Sequence, residues 1–330
     1  MHIHHKLSMA AAAATMLLVS ACGTADPPAE ASAGASPTST GPIEVTDDRD
    51  TTVTLEGPAT RVVALEWGLI ENLSALGVEP VGAADVKQYN TYNQVQPIDP
   101  DTPDVGTRDA PSVDAIAALD PDLILTTTFL PKPVVKQLES QAPVLVFRGS
   151  DGADPIGYME TLLNTLARAT GTEDKAVELI EDFDASVEEG KQALADADKT
   201  GAPFLFADGW EDSGTVTIRL YTPDSFIGAI ADELGLDNQW TEGGDPDYGL
   251  VYTDVEGLVK VDTPDTTWLY LSSDEMGDVF QNQLMENDIW TGFPWVEGDN
   301  MHRLPNGIWP YGGPPAAGAY VDAMVEALTG

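Results

Sequence analysis

Beyond Cys22 the chain carries one histidine, His302, and no second cysteine. That removes most catalytic and metal chemistry. Zinc sites rich in Cys or His are excluded, and a Ser-His-Asp triad would have to use His302. Carboxylate chemistry stays open, but with 55 Asp and Glu no chosen pair is informative. The residues that stand out are aromatic. Trp67 follows an apolar run, Val62–Leu65; Tyr89 and Tyr92 sit in a polar stretch; Phe129 follows Leu123–Leu125. Tyr248 lies in Gly-Gly-Asp-Pro-Asp-Tyr-Gly, and Trp309 and Tyr311 lie in Ile-Trp-Pro-Tyr-Gly-Gly-Pro. Aromatics on loops after strand ends suit a cleft that grips a partly apolar ligand, although each alone also suits packing. Arginine is scarce. Arg108, in Asp-Val-Gly-Thr-Arg, and Arg219, in Thr-Ile-Arg-Leu-Tyr, offer planar donor forks to ligand oxygens, or else pair with one of the many acids.

The elements that must position these residues alternate. Val62–Leu65, Val81–Ala84, Leu123–Leu125 and Val144–Phe147 read as short apolar strands, with helices over Gly68–Leu76, Ser112–Leu119 and Pro131–Glu139. A short hairpin through Val53–Leu55 precedes them. This pattern predicts a mainly parallel sheet covered by helices on both faces. Residues 154–170 differ: Ile156, Met159, Leu162, Leu163 and Leu166 keep helical spacing, and Gly171 is a stop. A second long helix follows Thr172, a candidate N-cap. Alternation resumes with Phe204–Phe206, Thr217–Tyr221, a helix over Asp224–Leu234, and Trp268–Leu271. Ser112–Leu125 is echoed by Asp254–Leu271, a weak internal repeat. The expected fold is therefore α/β: two Rossmann-like lobes, residues 43–152 and 172–330, joined by a single long helix over 153–171.

The start of the chain and its charge bound where it works. Lys6, an apolar run from Met9 to Val19 and the sequence Val-Ser-Ala-Cys22 have the layout of a secretory signal. The cleavage site resembles the lipobox of bacterial lipoproteins, in which the Cys becomes the lipidated N-terminus. The apolar run is too short for a membrane span. Residues 1–21 are thus expected to be removed, with 22–42 as an Ala/Ser/Pro/Thr/Gly tether and the body extracytoplasmic, lipid-anchored to the cell membrane. The formal net charge is -40, from 55 acids against 15 Lys and Arg. Such a surface repels nucleic acid. An anionic ligand needs a local basic pocket, whereas a neutral or cationic one is not repelled.

The string Arg61-Val-Val-Ala-Leu-Glu-Trp67, then Ala75-Leu-Gly-Val, Pro80-Val-Gly, Ala84-Asp85, Asp104-Val-Gly-Thr-Arg108 and Ala115–Ile124, resembles the first lobe of iron–siderophore binding proteins. These are the substrate-binding components of ABC importers whose lobes share one long helix. Pro223-Asp-Ser, Asn238-Gln-Trp240 and Ile308-Trp-Pro-Tyr-Gly312 resemble the ferric-hydroxamate branch. The resemblance implies a binding protein and no enzyme or resident cofactor. Its ligand is a ferric siderophore, hydroxamate or mixed citrate–hydroxamate, and its partner an ABC permease; a monomer is expected. It also implies that Arg108 donates to the chelating oxygens and that Tyr248 and Trp309 line the cleft. Where the hydroxamate branch has a tyrosine this chain has Phe129. Asp114 and Glu256, one per lobe, fall at the paired acids that dock on permease arginines. The alternatives are direct ferric-ion capture through Tyr89, Tyr92 or Tyr248, binding of cobalamin or haem, and, in a different class, a surface hydrolase with paired carboxylates.

Overall fold

The structure, a computed structural model, describes residues 41–272 and 277–330. The Cys22 motif, the leader and nearly all of the expected tether lie outside the described residues. A hairpin of β1 (Ile43–Thr46) and β2 (Thr52–Leu55) opens the first lobe, and Ile43, Val45 and Leu55 face inward. Then come β3 (Val62–Ala64), α1 (Trp67–Ala75), β4 (Gly82–Ala83), α2 (Val86–Tyr92), α3 (Val113–Ala118), β5 (Leu123–Thr127), α4 (Lys132–Leu138) and β6 (Val144–Phe147). The four strands β4-β3-β5-β6 form one wholly parallel sheet. Every residue of β3, β5 and β6 is buried, as expected where helices cover both faces. One face packs on α1 and the hairpin, the other on α3 and α4.

Two long helices follow, α5 (Pro155–Thr170) and α6 (Glu173–Asp196). Asp154 caps α5 through the Gly157 N–H, and Gly171, at φ 70°, ends it. Thr172 does not cap α6; its hydroxyl meets that of Thr170 at 2.9 Å. Both helices take part in the crossing between lobes. α5 turns Leu163, Leu166 and Ala169 into the first lobe's core and its first turns, with Ile156 and Met159, toward the second. α6 continues into the second lobe: Ala176 packs in the first core, Phe183, Val187 and Leu194 in the second. Its 24 residues span about 36 Å.

The second lobe comprises β7 (Pro203–Asp212), β8 (Thr215–Tyr221), α7 (Phe226–Glu233), β9 (Asp237–Asn238), β10 (Leu250–Thr253) and a 3-10 turn at Glu256–Lys260. β11 (Thr267–Tyr270), α8 (Asp288–Thr291), α9 (Pro294–Glu297), β12 (Met301–Arg303) and α10 (Pro314–Thr329) complete it. Its sheet runs β10-β8-β7-β11-β12, with β9 beside the start of β7. β7, β9, β11 and β12 run parallel, whereas β7, β8 and β10 form an antiparallel meander, so this lobe is mixed. α6, α7 and α10 cover one face; on the other lies an aromatic core of Trp268, Phe280, Trp290, Phe293 and Trp295. The described residues fall within one compact unit. Among the described residues no helix is long and apolar enough to cross a membrane.

Candidate functional site

Open parallel sheets bind ligands beyond the carboxyl ends of their strands. In the first lobe all four strand ends deliver a side chain to one cavity of about 590 Å³ between the lobes. Glu66 follows β3, Asp85 follows β4, Phe129 follows β5 and Arg148 follows β6. Arg108 joins them from the loop before α3. The second lobe answers with Phe226, Tyr248, Tyr252, Trp309 and Tyr311. The lobes touch closely beside the cavity. Gly152 N–H donates to the Pro246 carbonyl at 3.2 Å, and a Cβ on Gly149 would collide with the Tyr248 hydroxyl.

Arg108 is held on every side. Its Nη1 donates to Glu66 Oε1 at 3.1 Å, and its Nε lies 3.8 Å from Asp85 Oδ2, which also accepts its backbone N–H. The guanidinium lies 3.8 Å above the Trp67 ring and 5.3 Å from that of Trp309. Arg148, which the sequence reading missed, repeats the device. It pairs with Asp151 at 2.9 Å and Asp48 at 3.9 Å and rests 4.8 Å from the Tyr158 ring. Each cleft arginine is thus already bracketed by two carboxylates. Asp109 also lines the cavity, so its wall carries three carboxylates against two guanidiniums.

The aromatic residues form a continuous series. Tyr92 stacks on Trp67 at 5.7 Å, Trp67 meets Trp309 at 4.7 Å, Trp309 meets Tyr311 at 5.7 Å, and Tyr311 meets Tyr248 at 5.2 Å. Phe129 and Tyr252, 70% and 59% exposed, stand at the cavity edge on opposite lobes. Burial pushes the Tyr311 phenol up to about 12. It also raises Tyr248, with help from the Glu66 charge. Both therefore remain phenols at neutral pH, with a proton available to donate.

Of the residues singled out from sequence, Arg108, Phe129, Tyr248, Trp309 and Tyr311 line the cavity. Trp67 does not: it is 3% exposed and forms the floor beneath Arg108. Tyr92 backs that floor. Tyr89 is a core residue of α2, 0% exposed, whose hydroxyl donates to the Gln96 carbonyl at 2.5 Å. The polar stretch that suggested a loop is a helix whose buried residues are Val86 and Tyr89. Arg219 is also spoken for. It lies opposite Asp208 in the β7–β8 ladder, its Nε donates to Asp208 Oδ1 at 2.8 Å, and its Nη2 bonds the other oxygen. Asp114 and Glu256 are exposed, one on each lobe, and neither lines the cavity. Among the described residues no group of three His, Cys, Asp or Glu could hold a metal ion.

Residues 62–306 match the periplasmic binding protein family, and the chain belongs to it. It is 26% identical over 271 residues to the iron(3+)-hydroxamate-binding protein FhuD of Escherichia coli (strain K12), covering 82% of this chain and 87% of that one. YfiY of Bacillus subtilis (strain 168), whose name describes a siderophore-binding lipoprotein, is 27% identical over 322 residues, 94% of each chain. The solved structure of the siderophore-binding protein FhuD from Vibrio cholerae, bound to Fe3+-Desferal, superimposes with a TM-score of 0.71 at 26% identity. It covers 82% of this chain and 98% of that one.

Proposed function

We propose that the cleft captures a ferric siderophore, a hydroxamate of neutral or positive overall charge in preference to an anionic mixed citrate–hydroxamate, and that the protein passes it to an ABC permease. The observation that carries the reading is the bracketing of both cleft arginines by carboxylates, opposite an aromatic wall. Three hydroxamates neutralise ferric iron, so the outer shell of such a complex presents oxygens and apolar arms with no excess negative charge. Arg108 can bond the oxygens while Glu66 and Asp85 keep its charge balanced. Tyr248, Trp309 and Tyr311 receive the apolar arms. The iron arrives already coordinated and needs no protein ligand. Direct capture of bare ferric ion fits less well, since Tyr89 and Tyr92 are used in packing and the Tyr248 phenol holds its proton.

Titrating tryptophan fluorescence with ferric and with iron-free desferrioxamine tests the reading. Quenching by the ferric complex, through Trp67 and Trp309, is expected. Equal response to ferric chloride without chelator would favour direct ion capture. The Cys22 motif supports a lipid anchor at the outer face of the cell membrane, in keeping with the relative named as a lipoprotein. In the same reading Asp114 and Glu256 meet permease arginines. Reversing both to Lys should leave affinity for ferric desferrioxamine unchanged and abolish its uptake by cells. Normal uptake by the double variant would remove them from the docking face.

A further inference from the structure

α1 and α10 belong to different lobes, yet one side chain joins them. Glu71 of α1 is 0% exposed. Its Oε1 accepts from the Gly313 N–H at 2.9 Å and the Ala316 N–H at 3.1 Å, and its Oε2 accepts from Asn93 Nδ2 at 2.5 Å. The first N–H groups of a helix lack partners within it, and a side chain at the N-cap usually takes one. α10 cannot do this for itself. Its N-cap, Gly313, has no side chain, and its first two residues, Pro314 and Pro315, have no N–H. The N–H groups left in that turn are those of Gly313 and Ala316, and Glu71 takes both. The backbone leaves room for this contact. A Cβ on Gly312 would collide with the Glu71 carboxylate, one on Gly313 with the Asn72 amide, and one on Gly68 with the Tyr311 carbonyl.

We propose that Glu71 is an inter-lobe cap, a positioning residue that closes the N-terminus of α10 from the first lobe and so holds the Trp309–Tyr311 segment against the Arg108 side of the cleft. What meets its charge is the helix dipole, two backbone N–H groups and an amide. The titratable groups facing it are Tyr89 of α2 and Tyr320 of α10. Burial, with the Glu71 charge contributing, holds both as phenols. Burial is also the largest influence on Glu71 itself and pushes it up to about 7, against the three hydrogen bonds that lower it. If the lobes part along this seam, Glu71 meets water and returns to the ordinary carboxylate range. The capped state therefore binds a proton more tightly than the parted state. The seam tightens as pH falls through neutrality and loosens as it rises.

Amide exchange at Gly313 and Ala316, followed by NMR and corrected for intrinsic rate, reads the seam directly, with β5 amides as the reference. In the wild type, protection at these two amides should fall between pH 6 and pH 8 while β5 stays constant. Glu71→Gln should abolish that dependence. Glu71→Ala should lose protection at both pH values and bind ferric desferrioxamine about tenfold more weakly, the scale of a lost cap, with Glu71→Gln largely restoring affinity. The affinity arm rests on the siderophore reading; the exchange arm does not. Absence of desferrioxamine binding in the wild type would strike that reading alone. Unchanged protection in Glu71→Ala, or a wild-type pH profile in Glu71→Gln, would overturn the cap. Where the Ala variant does not fold, the Gln profile decides.

Discussion

The first-lobe wall of the cleft is charged and rises from the ends of parallel strands, whereas the second-lobe wall is aromatic and rests on loops, the start of α7 and one antiparallel strand. Each wall suits a different part of one ligand. Strand ends in a parallel sheet are rigid and converge, which lets two arginines be held with their carboxylate partners already in place. Arginines so paired can offer donors to a ligand without adding net positive charge. Loops tolerate bulky exposed rings, and aromatic side chains give large contact area at small cost in conformational entropy. On the proposed reading, polar recognition is preset on one side and apolar contact comes from the other.

The contrast separates arginines that line the cavity from one that does not, and this can be broken experimentally. Arg219→Met removes the partner of Asp208. Stability should fall by about 2–3 kcal/mol, less than for a fully buried pair because both side chains keep some solvent contact. Affinity for ferric desferrioxamine should not change. Chemical denaturation beside a binding titration checks this, and lost affinity at wild-type stability would put Arg219 in the cleft. Arg108→Ala should do the reverse, weakening binding by about 1.5–3 kcal/mol, roughly tenfold or more. Lysine should rescue only partly, because it lacks the planar fork and stacks less well on Trp67. Unchanged affinity in a folded Arg108→Ala protein would remove the charged wall from recognition. On the aromatic side, Tyr252→Ala takes away a ring that is still largely in water. The loss should be about 0.5–1 kcal/mol, seen as faster ligand dissociation. A larger loss would mean that the ring is drawn over the bound ligand.

Much of this was legible in the chain, for identifiable reasons. Val62–Ala64, Leu123–Leu125 and Val144–Phe147 are apolar throughout, as strands buried on both faces require. Arg108 and Trp309 carried motif context. Arg148 carried none, although a polar residue immediately after an apolar strand of a parallel sheet was signal enough. Tyr89 misled because α2, Val-Lys-Gln-Tyr-Asn-Thr-Tyr, buries too few residues to display a helical stripe. How α5 and α6 divide the crossing between lobes was not legible, because both are amphipathic. Which core each apolar face meets is decided by tertiary packing. Glu71 stayed invisible for a related reason. Its partners are backbone N–H groups 242 and 245 residues away, made available by Pro314 and Pro315.

The central claim is that the cleft selects a complex without excess negative charge. Fluorescence titration at physiological salt with two ferric complexes of similar size tests it most directly: a trihydroxamate carrying a free ammonium, and a triply anionic tris-catecholate. With three carboxylates against two guanidiniums on the cavity wall, the trihydroxamate should bind at least about tenfold more tightly, and the gap should widen at low salt. Equal or tighter binding of the tris-catecholate would contradict the account, since it would require the bracketing carboxylates to leave both arginines free.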